Sequence, residues 1–244
     1  MSEMGKKVTL VVGAGPGTGA AISERFARAG HVVVVTRRRG DETASLVEKI
    51  KQTGGVAYGL GCDARNEQAV MELVEKVERD VGPIQVAVHN IGPNIRFLIR
   101  ETTVQKYYKV WEMAALSAFL VGREVAKSMV PRGEGTILFT GATASVRGGS
   151  GFAAFAGAMH AKRALSQSMA RELGPKGIHV AHVVIDGVID TELVRERFSD
   201  VIEARPPDGI LNPADIAETY YQLHRQPRSS WTYEIDLRPW VEPW

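Results

Sequence analysis

Apolar residues in this chain fall into two alternating patterns. Short runs that are apolar at consecutive positions, of which Val32-Val33-Val34-Val35 is the plainest, are separated by longer segments whose apolar residues recur at helical spacing. A strand covered by helices on both faces is apolar throughout, and its alternation with amphipathic helices builds βαβ units and a parallel sheet. The runs predict strands at Lys7–Val12, His31–Thr36, Val56–Gly61, Ile84–Asn90, Gly135–Thr140, Ile178–Ile185 and Trp231–Asp236. Between them, Leu46, Val47 and Ile50 form one helical stripe and Val70, Leu73, Val74 and Val77 another. Two longer helices are predicted near Thr103–Met129 and Gly151–Leu173, and a smaller helical excursion from Thr191 to about Leu211 precedes the last strand. No break in composition divides residues 1–244. The expected fold is therefore a single α/β domain: a doubly wound parallel sheet of about seven strands with helices on both faces.

Composition narrows the function classes. A single domain of 244 residues buries a full core without disulfides or structural metal. Its 30 basic and 28 acidic residues are interspersed and sum to a formal charge of +2, which gives no electrostatic reason to expect a nucleic-acid partner. Cys62 is the one cysteine, so an internal disulfide and a cysteine-based zinc site are excluded, and a reducing, cytoplasmic setting is expected. Lys6 and Lys7 precede an apolar run as in a signal peptide, but Gly13, Gly15, Pro16, Gly17 and Gly19 cut that run at once. No apolar stretch approaches membrane-spanning length, so no membrane partner is expected.

The chemistry begins where the first strand meets Gly13-Ala14-Gly15-Pro16-Gly17-Thr18-Gly19, followed by an amphipathic helix carrying Ile22 and Phe26. Glycines in such a turn admit positive φ and let a pyrophosphate approach the backbone, while the helix N-terminus completes an anion site. Strand before, helix after, and glycines between make this a Rossmann-type dinucleotide turn. The second strand ends in Thr36-Arg37-Arg38-Arg39. An NAD site places a carboxylate there, about 20 residues after the glycines, to accept the ribose 2′-hydroxyl. No carboxylate occurs before Asp41, and guanidinium groups at Arg37 and Arg38 suit a 2′-phosphate. NADP(H) is the expected cofactor.

At this point the chain resembles the short-chain dehydrogenase/reductase family over nearly its whole length. Gly13-xxx-Gly17-x-Gly19 is similar to that family's cofactor motif. The resemblance implies that Asp63, with Ala64 beside it, meets the adenine ring. His89-Asn90-Ile91-Gly92 is similar to the family's Asn-Asn-Ala-Gly turn, keeping Asn90 and Gly92. Asp186-Gly187-Val188-Ile189-Asp190-Thr191 resembles the Pro-Gly segment beside the nicotinamide, with Asp186 in place of proline. Gly187, Ile189 and Thr191 are the contacts this implies. The family's Asn-Ser-Tyr-Lys tetrad, however, is absent. Ala114, Ala142, Phe155 and Met159 stand at its positions, and no other Tyr-xxx-Lys exists in the chain.

Reducing a ketone leaves an alkoxide that needs a proton. A general acid contributes about 10²–10⁴-fold, and donors to the oxyanion act on a comparable scale. Phe155 and Met159 do neither. Weak substitutes are Thr143, one residue beyond the serine position, His160, roughly 100° around the helix from Met159, and His89 at the end of the fourth strand. Asn94, Ser145 and Ser150 lie in segments bordering the same cleft, and Arg195 and Arg197 lie in the helical excursion. Two functions lead among three that remain open. One is an NADP(H)-dependent oxidoreductase acting on a small-molecule substrate, including a pre-activated imine or iminium. The other is a cofactor-binding protein without turnover, acting as sensor or partner subunit; non-redox chemistry in an inherited cleft is a third possibility. A homodimer or homotetramer is expected from the family resemblance. It is also expected from the small residues Ala153, Ala154, Ala156, Gly157 and Ala158, and from the tail tryptophans Trp240 and Trp244.

Overall fold

The structure is a computed structural model and describes residues 7–243. In chain order its elements are β1 (Val8–Val12), α1 (Thr18–Arg28), β2 (Val32–Arg37), α2 (Ala44–Gln52), β3 (Val56–Gly61), α3 (Glu67–Asp80), β4 (Ile84–His89) and α4 (Val104–Trp111). These are followed by α5 (Ser117–Met129), β5 (Gly135–Thr140), α6 (Ala153–Leu173), β6 (Ile178–Ile185), α7 (Glu192–Arg197), α8 (Ser199–Glu203), α9 (Pro213–Arg225) and β7 (Glu234–Leu237). Seven parallel strands form one sheet in the order β3-β2-β1-β4-β5-β6-β7.

The order reverses direction between β1 and β4, and that switch point fixes where a ligand binds. Val12 pairs in register with His89, so the turns that begin at Gly13 and Asn90 leave the sheet side by side. Asn90 donates its backbone N–H to Val12 O at 2.8 Å and its side-chain amide to Gly13 O at 3.0 Å, tying the two turns together.

Helices cover both faces because both faces of the central strands are apolar. On one side α3 presents Val70, Leu73, Val74 and Val77 and α5 presents Ala118, Val121 and Val125. On the other, Ile22 and Phe26 of α1 and Ile216, Ala217, Tyr220 and Leu223 of α9 are buried together.

Several boundaries differ from those predicted. The helix at 103–129 is interrupted by a π turn at Glu112–Leu116, after which Ser117 Oγ donates to Met113 O at 2.5 Å. The next long helix starts at Ala153, since Gly151 sits at φ +83. The helical excursion splits into α7 and α8, and an isolated bridge between Ile189 and Leu211 ties its two ends together. The last strand runs over Glu234–Leu237 rather than Trp231–Asp236. The Gln226 side chain clasps Thr232, accepting from its N at 2.7 Å and donating to its Oγ1 at 2.8 Å, and this holds residues 226–232 in a turn. Trp231 there stacks on His179 instead, with ring centroids 4.9 Å apart. Helix α9 is not predicted at all, although Asn212 caps it by accepting from Ala214 N at 2.9 Å and Pro213 occupies its first turn. Among the described residues no helix is long and apolar enough to cross a membrane.

Candidate active site

Two cavities, of about 600 Å³ and about 250 Å³, meet along the carboxyl ends of the strands and share Gly13, Gly15, Asn90 and Gly92 as lining. Their junction is the glycine turn. Gly13 has φ +94, and a Cβ there would lie 2.7 Å from Asn90 O, so no side chain is tolerated. A Cβ on Gly17 would lie 2.7 Å from Thr191 Cγ2, so this glycine lets the segment after β6 close over the turn. Gly17 is also the N-cap of α1, and no side chain caps that helix. An uncapped N-terminus facing a cavity offers N–H groups and a positive dipole to an anion. Thr18, Gly19, Gly187 and Ile189 line the larger lobe with these glycines, whereas Pro16 and Thr191 lie beside the turn without lining it.

The smaller lobe gathers Arg37, Arg38, Asp63 and Ala64, all expected there, together with Glu42 and Arg65, which are not. Arg37 is paired with Glu42 at 2.9 Å, and Arg39 donates to the same carboxylate at 2.6 Å. Arg38 makes no hydrogen bond or ion pair among the described residues and is exposed. Asp63 accepts from Arg65 at 2.8 and 2.6 Å, and from its backbone N at 3.1 Å. The Arg65 hydrogen bond is the main reason its carboxyl is held below the usual range. Arg65 sits two residues after Asp63, a spacing that brings their side chains together. The residues present therefore fit a phosphorylated dinucleotide: a glycine junction for the pyrophosphate and a cationic end for the 2′-phosphate.

The opposite end of the larger lobe is apolar. Ala142, Ala144, Phe152, Phe155 and Met159 line it, and Ala114 is fully buried within the π turn behind them. The Phe155 ring and the Met159 thioether stand over Gly92, each 3.8–3.9 Å from where its Cβ would be. Polar groups return at Thr143, whose hydroxyl donates to the carboxylate of Asp186. Asp186 is 1% exposed. Arg147 approaches it at 3.5 Å from the cleft and Arg238 at 3.0 Å from behind. Asn94 lines the same lobe. Ser145 is buried and accepts from Ala142 N at 3.1 Å, and Arg195 is engaged by Asp190 at 2.5 and 2.6 Å.

Neither histidine lines the cleft. His89 is buried, with Nε2 2.8 Å from Ser117 Oγ, and burial, then the nearby Lys162 charge, hold its pKa well below the usual range. His160 turns its Nδ1 to Ala156 O at 2.9 Å. A third group was not anticipated. Lys162 is fully buried and donates from Nζ to Ile91 O at 2.5 Å and to Thr140 O at 3.1 Å, and burial brings its pKa down to about 7. Its spacing of seven from Phe155 and three from Met159 puts it on their face of α6, the one signal in the sequence that could have revealed it. Among the described residues no cluster of His, Cys, Asp and Glu is arranged to hold a metal ion.

The chain is similar to known proteins in sequence and in fold. The sequence profile of the short chain dehydrogenase family matches residues 7–202. The 3-oxoacyl-[acyl-carrier-protein] reductase MabA of Mycobacterium tuberculosis is 30% identical over 85% of this chain and 81% of its own. The 7alpha-hydroxysteroid dehydrogenase of Escherichia coli K12 is 28% identical over 92% of this chain and 89% of its own. Among solved structures, a short-chain dehydrogenase from Rhodopseudomonas palustris superposes with a TM-score of 0.82 at 44% identity, covering 96% of this chain and 99% of that one. A variant of the actinorhodin polyketide ketoreductase with NADPH gives a TM-score of 0.88 at 26% identity, covering 98% of both chains.

Proposed function

The chain belongs to the short-chain dehydrogenase family, and from that premise we propose that it is an NADP(H)-dependent oxidoreductase whose site works without a tyrosine–lysine relay. The observation that carries this reading is the two-lobed cleft itself, cationic at Arg38 and apolar at Phe155 and Met159. The actinorhodin ketoreductase was solved with NADPH, and the arginines at the end of β2 support the same cofactor here. Bound NADP(H) would supply or accept hydride. Arg38 and Arg65 would hold its 2′-phosphate, the α1 N-terminus its pyrophosphate, and Asn90, Gly92, Gly187 and Ile189 would flank its nicotinamide half.

What these residues leave undone limits the substrate. The Thr143 proton is committed to Asp186, so the hydroxyl offers its lone pairs to the cleft and accepts rather than donates. A ketone's alkoxide finds no acid in that pair. A small iminium ion, or an imine that arrives already protonated, needs none, because hydride addition to it leaves a neutral amine. Calorimetric titration with NADPH, then a spectrophotometric panel of imines, enones and ketones, tests the proposal: imines are expected to turn over fastest. Ketone reduction that survives both Thr143→Val and Phe155→Ala would place the chemistry elsewhere.

A second reading rests on Ala114, Ala142, Phe155 and Met159 jointly: four apolar side chains at the positions of the family tetrad describe a cofactor sensor or silent partner subunit equally well. Tight NADPH binding with no turnover across the panel is its signature. We further propose a homo-oligomer, because Val104, Tyr108, Trp111 and Phe119 leave an exposed apolar band on α4 and α5. Light scattering showing a monomer at micromolar concentration would refute that assembly.

A further inference from the structure

We propose that Lys162 is a positioning cation that makes the cleft favour the reduced, neutral nicotinamide over the oxidised, positively charged one; the inference rests on the NADP(H) reading above. Its placement is the first ground. Lys162 lies one turn beyond Met159 on the face of α6 that carries Phe155. Its Nζ reaches the carbonyls of Ile91 and Thr140. Thr140 lines the larger lobe and Ile91 the smaller, so the ammonium holds the backbone of one lining residue from each lobe. Two strand ends that flank the cofactor cleft are thus fastened by one charged group.

The surroundings of that charge are the second ground. Among the described residues no carboxylate pairs with Lys162; its partners are two carbonyl dipoles. The groups facing it from each neighbouring element leave its charge unanswered. His89 on β4 and His182 on β6 are held neutral by burial, His182 with a pKa of about 4. Glu234 on β7 is engaged by Arg163 at 2.6 Å through both oxygens and by His182 at 2.9 Å. A buried, unpaired cation projects its field through low-dielectric protein rather than through salt water. The two redox states of the cofactor differ by one positive charge on the nicotinamide, so the field acts on one state and not the other. Lys162 therefore weakens binding of NADP⁺ relative to NADPH, by about tenfold for a charge at this depth. This biases the site toward reduction and hastens release of the oxidised cofactor.

Burial also brings the Lys162 pKa down to about 7, which makes the bias readable by pH. The 2′-phosphate titrates alike in both cofactors and cancels in their ratio. The test is isothermal calorimetry of NADP⁺ and NADPH with the whole protein, from about pH 6 to about pH 8.5. The unaltered protein is expected to show a ratio of dissociation constants, NADP⁺ over NADPH, that falls about tenfold across that range. Lys162→Met is expected to hold the ratio at its alkaline value throughout, and Lys162→Arg, which stays charged, at its acid value. A purely structural role would shift both affinities together and leave the ratio unmoved. A ratio in the unaltered protein that does not vary with pH overturns the proposal, whether or not the variants fold. Absence of binding by either cofactor overturns the NADP(H) reading beneath it.

Discussion

Arg37 and Arg38 share a strand end and a charge, yet Glu42 answers only one of them. Its carboxylate holds Arg37 at 2.9 Å, whereas Arg38 is exposed in the smaller lobe. A 2′-phosphate meets Arg38 directly but must compete with Glu42 for Arg37. Arg38→Ala is therefore expected to weaken NADPH binding by about tenfold or more, about 1.4 kcal/mol, and Arg37→Ala by less. Glu42→Gln releases Arg37 and Arg39 and is expected to tighten NADPH while leaving NADH unimproved. Calorimetry on the three variants checks the order, and a larger loss at Arg37 than at Arg38 would reverse the assignment. Asp186 poses a different problem, because its charge is buried between Arg147 and Arg238. Asp186→Ala strips both guanidiniums of a partner and is expected to cost about 3 kcal/mol, read by urea denaturation, more than any exposed ion pair in the chain. The glycine turn and the arginines were legible because motif chemistry is local in sequence. Lys162, Glu42 and the Thr143–Asp186 pair were not, since their meaning lies in burial and in partners 22 to 71 residues away for Lys162 and 43 away for Thr143.

At the scale of elements, short apolar-rich runs made six strands readable almost to the residue, even β3, whose Val56–Gly61 segment is interrupted by glycines and largely exposed. The seventh was readable in existence but not in position. Its four residues are only partly buried, and its start is set by the Gln226–Thr232 clasp, a contact with no apolar pattern of its own. Helix α9 carries the signals of a helix: Asn212 and Pro213 at its start, then Ile216, Ala217, Tyr220 and Leu223 on one face. The irregular excursion just before it masks that pattern. Its importance shows in packing, where Tyr220 is fully buried and its hydroxyl meets Thr140 Oγ1 at the end of β5. Tyr220→Phe leaves the Thr140 hydroxyl without that partner and is expected to cost about 1–2 kcal/mol. Asn212→Ala removes the cap and is expected to cost about 1 kcal/mol. Thermal melts resolve both, and because Thr140 lines the cleft, only Tyr220→Phe is expected to alter cofactor affinity as well. The π turn at Glu112–Leu116 holds Ala114 fully buried behind the apolar end of the cleft.

Over the whole molecule, the buried bases set the dependence of stability on pH. Burial lowers His31, His182 and His224 to about 4 each. His31 and His224 pack edge to face with centroids 5.4 Å apart where α1 meets α9, bonded to Thr9 at 2.8 Å and Thr136 at 3.0 Å. Unfolding returns each to a pKa of about 6.5, so between those values the unfolded chain binds protons that the folded chain refuses. Their stabilisation is complete above about pH 6.5 and is lost as pH falls toward about 4. Lys162 works in the same direction at higher pH. Its folded pKa of about 7 lies below its unfolded value. Over that interval the unfolded chain again holds the extra proton, and stability rises with pH. The histidine and lysine windows adjoin, so the stability maximum is displaced to the alkaline side. Urea midpoints are expected to climb from about pH 5 to about pH 7, by an amount on the order of several kcal/mol in unfolding free energy, and to climb again to about pH 9. Lys162→Met is expected to abolish the second rise and largely preserve the first, because burial is the main cause of the lowering at all three histidines and the Lys162 charge adds to it only at His182. A maximum near pH 5, or an alkaline rise that Lys162→Met leaves intact, would show that the buried lysine and histidines do not govern the balance.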